Sequence, residues 1–150
     1  MHGCEVLCCT PTYALRLGEL LEANSDDEDF HSVKVKKIIV AGEPGGSIPE
    51  VRDQLSKLWR GAQIYDHHGM TEVGPVTYED PGKPMSLCVI ESAYYAEIID
   101  RETQKEVEVG EKGELVLTTL TRAASPLLRY RTGDLVQKTY FNGCLCLEGG

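Results

Sequence analysis

Two short segments of this 150-residue sequence carry the residue types that chemistry needs. Tyr65-Asp66-His67-His68-Gly69-Met70-Thr71-Glu72 brings a glycine, a hydroxyl and a carboxylate together at the predicted end of a strand. A bare backbone, a hydroxyl and an anionic oxygen in that place suit phosphate chemistry. Tyr130-Arg131-Thr132-Gly133-Asp134-Leu135 sets a carboxylate directly after a glycine. A carboxylate has two oxygens and can accept from two neighbouring hydroxyls at once. Each segment alone also reads as an ordinary polar loop, with Thr71 as a helix cap and Asp134 as a turn aspartate.

The elements that must position them alternate in the first half. Val6-Leu7-Cys8-Cys9 is a short apolar run, and Thr10-Pro11 starts a helix with proline at its first position. Tyr13, Leu17, Leu20 and Leu21 recur on one predicted helical face. A strand follows over 35–40, ending at Ala41-Gly42. Ser47-Ile48-Pro49-Glu50 reads as a capping box, and Val51, Leu55, Leu58 and Trp59 form the buried face of the helix it opens. Gln63-Ile64-Tyr65 is the next strand. Strand and helix in alternation predict a parallel sheet with right-handed crossovers. Ligands of such sheets sit beyond the carboxyl ends of the strands, where Gly42-Glu43-Pro44 and the segment from His67 to Glu72 both fall.

From about Pro81 the texture changes. Strands are predicted over 95–99, 113–120 and 135–140, and Asn142-Gly143 marks a hairpin turn before Cys144-Leu145-Cys146. The expected fold class is α/β: a partial parallel α/β sheet subdomain over residues 1–80, then a small antiparallel, distorted barrel-like β subdomain over 81–150.

Bulk properties narrow the function classes. No apolar run approaches 18 residues, so the sequence reads as a globular protein without a membrane partner. A net charge of −9 argues against nucleic acid or an anionic membrane as partner. No signal-peptide pattern opens the sequence, which makes the cytoplasm the expected location. Ser25-Asp26-Asp27-Glu28-Asp29 reads as a solvated acidic loop rather than a metal site. The six cysteines are then reduced thiols. None of their spacings is a Cys-x-x-Cys pair, so buried thiols are expected over a zinc site joining Cys88, Cys144, Cys146 and a histidine.

Taken in order, with Ala41-Gly42-Glu43-Pro44 upstream and Gly113-Glu114-Leu115-Val116-Leu117-Thr118-Thr119 between them, the two segments resemble the adenylate-forming enzymes of the acyl-CoA synthetase and AMP-binding superfamily. They are nearest its phenylacetate–CoA ligase family. Cys9-Thr10-Pro11-Thr12-Tyr13-Ala14-Leu15-Arg16-Leu17 resembles that branch too, as does the stretch from Thr118 through Arg131. The resemblance implies ATP and AMP as nucleotides, Mg²⁺ as metal and CoA as co-substrate, with a phenylacetate-like carboxylic acid activated as its acyl-adenylate. It assigns Thr71 to the phosphates and Glu72 to Mg²⁺, which prefers hard carboxylate oxygens. Both are thereby the implied catalytic residues. It gives Asp134 the ribose hydroxyls and lets Gly42, Glu43 and Pro44 line the adenine and acyl pocket. Asp66, His67 and His68 are assigned to the nucleotide with their segment. His68 stands where the family places an aromatic residue that stacks on adenine. Adenylation needs no general base, because the acid is already ionised at neutral pH, so His67 is read as a nucleotide contact or a structural residue.

The same resemblance expects a Ser/Thr/Gly-rich phosphate loop upstream, and a hinge and small domain with a catalytic lysine downstream. Neither is in the sequence; its one Gly-rich stretch is Pro44-Gly45-Gly46-Ser47. The expectation is a later portion of the large N-terminal domain, inactive alone and partnered by the rest of the enzyme, since losing even one preorganised donor typically costs ~10²–10³ in rate. Two other readings stay open: an adenylating enzyme that loads a carrier protein or an amine, and a non-catalytic nucleotide-binding module.

Overall fold

Three short strands, β1 (Val6–Cys9), β2 (Lys37–Val40) and β3 (Gln63–Asp66), pair in parallel in the order β1-β2-β3. The structure, a computed structural model, describes residues 3–26 and 32–149; Asp27-Glu28-Asp29 of the acidic run lie outside them. The chain divides into two compact units, Met1–His67 and His68–Gly150. That division precedes the change of texture at Pro81, because the strands between Gly69 and Glu79 belong to the second unit.

In the first unit, helix α1 (Pro11–Ala23) starts as its sequence requires: Thr10 is extended, and its hydroxyl accepts from the Tyr13 N–H at 3.3 Å. Its buried face differs from the predicted one. Pro11, Ala14 and Gly18 are buried, Leu17 and Leu21 flank them, and Tyr13 and Leu20 are exposed. The reason is close packing against helix α2 (Pro49–Leu58). A Cβ on Gly18 would lie 2.8 Å from Leu58 Cβ and 3.0 Å from Trp59 Nε1, so small residues must occupy the contact. Trp59 donates its indole N–H to the Ala14 carbonyl at 2.9 Å. Ala14, Ile38, Val40, Leu55, Trp59, Ala62 and Ile64 form the core of this unit, with Val51 and Leu58 packed on it as expected.

The capping box at α2 is not formed. The cap residue is Ile48, without a side-chain bond, and the Ser47 hydroxyl donates instead to Asp66 at the end of β3. The helix starts one residue later than the box requires: with Ile48 as cap, Glu50 is the second helical residue and not the third, so Ser47 and Glu50 lose the reciprocal spacing.

The second unit holds a hairpin of β4 (Gly69–Met70) and β5 (Gly74–Pro75) and a six-stranded antiparallel sheet. That sheet comprises β6 (Thr77–Glu79), β7 (Leu87–Val89), β8 (Tyr94–Ile99), β9 (Lys112–Thr119), β10 (Tyr130–Phe141) and β11 (Cys144–Glu148), in the order β6-β7-β11-β10-β9-β8. Ile98, Leu115, Leu117, Val76 and Val73 are at the centre of its core. Asn142 and Gly143 both have positive φ, 51° and 84°, and close the predicted β10–β11 hairpin as a tight turn.

Cys88 and Cys146 face each other across β7 and β11, both buried, with their sulfurs 2.7 Å apart. Burial, then the neighbouring sulfur, push the Cys88 thiol above its usual range. Among the described residues, no cluster of three or more His, Cys, Asp or Glu could hold a metal ion. No helix among them is long and apolar enough to cross a membrane.

Candidate functional site

The candidate residues divide between the units. In the first, Gly42 follows β2 with φ +90°, a conformation that favours glycine and turns the chain out of the sheet. Glu43, exposed, accepts from the Thr12 N–H at 2.6 Å, so its carboxylate serves the start of α1. Hydrogen bonds from Thr12 hold its carboxyl below the usual range. Pro44 is exposed beside it. Asp66 is engaged by its own chain on both oxygens: Oδ1 accepts from the His67 N–H at 2.8 Å, and Oδ2 from Ser47. A Cβ on Gly46 would collide with that carboxylate, at 2.3 Å from Asp66 Cγ, so Gly46 is bare to admit Asp66. Arg52 ties this corner together by donating to the carbonyls of Gly46, at 2.7 Å, and of Ile64. His67 continues the β2 ladder through its N–H, 3.0 Å from the Val40 carbonyl.

In the second unit, Thr71 and Glu72 stand exposed at the tip of the β4–β5 hairpin. No helix follows them, so Thr71 caps none. The bareness of Gly69 has a local cause: a Cβ there would lie 2.8 Å from the Gly74 carbonyl oxygen and 3.1 Å from Pro75 Cα. Close approach of the hairpin's own strands, rather than of a ligand, accounts for that glycine. The tip is held by two donors absent from the sequence-based site. Arg122 Nη1 reaches the Glu72 carbonyl at 2.5 Å, and the buried Tyr94 hydroxyl reaches the Val73 carbonyl at 2.6 Å.

The segment around Asp134 is a bulge inside the long strand β10. Arg131 pairs with Val116 and Leu135 with Glu114, so Thr132, Gly133 and Asp134 together face the single position of Leu115. The Thr132 hydroxyl donates to the Leu115 carbonyl at 3.0 Å and accepts from the Asp134 N–H at 3.1 Å. Gly133 takes φ +84° with open space around it, so conformation and not crowding requires glycine.

Beneath the bulge lies Glu114, a buried carboxylate on β9. Arg131 grips it from two nitrogens, and Arg101 Nε adds a contact at 3.2 Å while its Nη2 reaches the Gly133 carbonyl at 2.6 Å. Hydrogen bonds from Arg131 hold the Glu114 carboxyl below its usual range despite its burial. A bidentate pair of this kind fixes direction as well as distance. Sequence analysis gave Glu114 no such role: it alternates with the core residues Leu115 and Leu117 and so occupies the other face of β9, where a carboxylate gives no local sign of its two arginine partners.

His68 sits between these features. Its N–H donates to the Thr77 hydroxyl at 2.9 Å, and its carbonyl accepts from Val76 and Thr77 at 2.9 and 3.1 Å. Its ring Nε2 lies 3.1 Å from Asp134 Oδ2. The structure thus brings His68 and Asp134 together, and sets Thr71 and Glu72 apart on the hairpin tip. Glu72 is an exposed single carboxylate, which fits Mg²⁺ held mainly by water and phosphate oxygens rather than a closed protein cage.

A short parallel α/β unit followed by an antiparallel β unit also occurs within adenylate-forming ligases. The structure superposes with a TM-score of 0.85 on a crystal structure of 2-hydroxyisobutyryl-CoA ligase in an open conformation, in complex with 2-HIB-AMP and CoA. The two are 26% identical over 95% of this chain and 32% of that one. Residues 1–121 match the AMP-binding enzyme family, and the chain belongs to it. It is also 33% identical, over 95% of its length, to phenylacetate-coenzyme A ligase of Thermus thermophilus. The same identity holds over 89% of the chain with the Pseudomonas putida enzyme of that name. The chain spans about a third of the length of these relatives, 31% and 30%.

Proposed function

We propose that this chain is the part of an ATP-dependent, AMP-forming acid–CoA ligase that grips the ribose and phosphates of the nucleotide. The substrate is an aryl carboxylic acid of the phenylacetate kind, joined first to AMP and then to CoA. The observation that carries the reading is the β10 bulge, which spends Glu114, Arg101 and Arg131 on presenting one half-exposed carboxylate, Asp134. A carboxylate so held suits a vicinal diol. In this reading Thr71 would contact the phosphates and Glu72 would hold Mg²⁺, which would supply charge neutralisation. Gly42, Glu43, Pro44, Asp66 and His67 would line the adenine and acid side. The chain alone, a third of the relatives' length, binds nucleotide without completing thioester formation, and it works in the cytoplasm.

Two measurements test this. Titration of the chain with AMP and Mg²⁺, followed by NMR, is expected to give saturable shifts at Thr71 and Asp134 that Asp134→Ala abolishes. Grafting the chain in place of the matching third of the Thermus enzyme is expected to preserve phenylacetyl-CoA formation from phenylacetate, ATP and CoA. A well-folded graft that forms acyl-adenylate but loads only a carrier protein would move the acceptor away from CoA. One that forms no adenylate would sink the ligase reading.

A further inference from the structure

The orientation of Asp134 has a second source besides the bulge, and it is a side chain. His68 Nε2 lies 3.1 Å from Asp134 Oδ2, with the histidine side chain 26% and the aspartate 46% exposed. A carboxylate oxygen accepts, so the contact assigns the donor hydrogen to Nε2, and a ring carrying a single hydrogen carries it there. That leaves Nδ1 as the ring's acceptor, and Nδ1 is buried with no hydrogen-bond partner. An orphaned buried nitrogen is costly, and a phenyl ring of similar size would avoid it. What the imidazole offers in return is the Nε2–H bond to Asp134.

The backbone of His68 makes that bond directional. Three hydrogen bonds to Val76 and Thr77 fix the residue at the edge of β6, and Thr77 itself is buried. The ring therefore approaches Asp134 from an anchored position, whereas the bulge holds only the aspartate's backbone. The contact engages one lone pair of Oδ2 on a side chain that is 46% exposed, and a carboxylate's two oxygens can still accept from both hydroxyls of a vicinal diol.

We propose that His68 is a positioning residue for Asp134: its Nε2–H fixes the rotation of the carboxylate, so that the ribose 2′- and 3′-hydroxyls meet two preset acceptors. The inference rests on the ribose role given to Asp134 above. It makes His68 a determinant of ribose selectivity, in addition to any face it offers to adenine.

The test compares the wild-type chain with His68→Phe, His68→Gln and Asp134→Ala, measuring affinity for AMP and for 2′-deoxy-AMP by NMR titration. The ring tautomer of ligand-free wild type is read from ¹⁵N shifts. The expected result is an Nε2–H tautomer. Loss of an oriented, charge-assisted bond is expected to weaken AMP binding about tenfold in His68→Phe. The preference for AMP over the deoxy ligand should shrink by a similar factor, and His68→Gln, which keeps an N–H donor, should recover part of both. A purely structural His68 would lower stability without changing that preference. If wild type binds AMP, Asp134→Ala does not, and His68→Phe matches wild type in affinity and selectivity, the positioning role is overturned while the ribose reading stands. An Nδ1–H tautomer in wild type overturns it as well, even if the variants do not fold. Failure of the folded wild-type chain to bind AMP at all, or an Asp134→Ala variant that binds AMP as tightly as wild type, overturns the ribose reading and this inference together.

Discussion

Arg131 and Glu114 form a two-pronged pair, with Nε on Oε1 at 3.1 Å and Nη2 on Oε2. The pair lies across the β9–β10 ladder just where its register breaks, so the carboxylate that would grip a ribose is mounted on a charge pair rather than on a loose turn. Arg101 extends the mount to the Gly133 carbonyl, making it a three-residue brace.

The brace gives the chain an acid sensitivity of known sign. Hydrogen bonds from Arg131 depress the Glu114 carboxyl in the folded state. Its contribution is therefore fully present above the ordinary carboxyl pKa, about 4.3, and is lost as pH falls below that toward the folded value. Melting curves should show wild type losing more stability than Glu114→Gln as pH drops through that window. Equal slopes for the two proteins would remove Glu114 from the account.

Gly133→Ala isolates conformation from crowding, since nothing surrounds the new methyl while φ is +84°. The expected loss in a denaturant titration is about 1 kcal/mol. A neutral substitution would mean that the bulge can relax to another turn.

Asp134→Asn keeps size and removes charge. Hydrogen bonds to a charged group are worth about 1.5–3 kcal/mol, so AMP affinity measured by calorimetry should fall roughly tenfold or more, with the melting temperature little changed because the side chain is 46% exposed.

Gly18→Ala should cost about 1–3 kcal/mol by overpacking α1 against α2, since its methyl would stand 2.8 Å from Leu58 Cβ and 3.0 Å from Trp59 Nε1. Trp59 is the single tryptophan. A shift in its emission would report the strained contact, and an unchanged spectrum with unchanged stability would show that the contact tolerates the methyl.

Cys88 and Cys146 are buried, and burial raises the Cys88 thiol, whereas Cys4 and Cys8 are exposed. Only the thiolate reacts readily. A colorimetric thiol reagent should modify Cys4 and Cys8 quickly in the folded chain and reach Cys88 and Cys146 only after denaturation. Fast modification of all of them would contradict the buried pair.

Element positions were largely legible because local patterns and burial agree. Val6-Leu7-Cys8-Cys9 is β1 as written, Thr10-Pro11 caps α1, and Asn142-Gly143 turns the β10–β11 hairpin. The misses arose where a residue answers to a distant partner. Periodicity gave α1 a leucine face, yet Gly18 and Ala14 make the contact because α2 lies too close for larger side chains. Ser47 looks like a cap and serves Asp66, nineteen residues on in sequence. Asp134 reads as a turn residue, but the strand runs through it, and no local window contains Glu114, Arg101 or His68. The chemical types of the candidate site were visible in the chain; what braces them was not, because those partners come from other strands.

The junction between the two units contains no residue of its own. His67 closes its N–H on Val40 and so answers to the parallel sheet, while His68, one peptide bond later, closes its N–H on Thr77 and answers to the antiparallel one. Adjacent letters in what reads as one motif therefore close their N–H groups on different sheets. Swapping the two histidines for other residues should produce uncorrelated effects, and any alignment that treats the pair as a single word will average over two separate grammars.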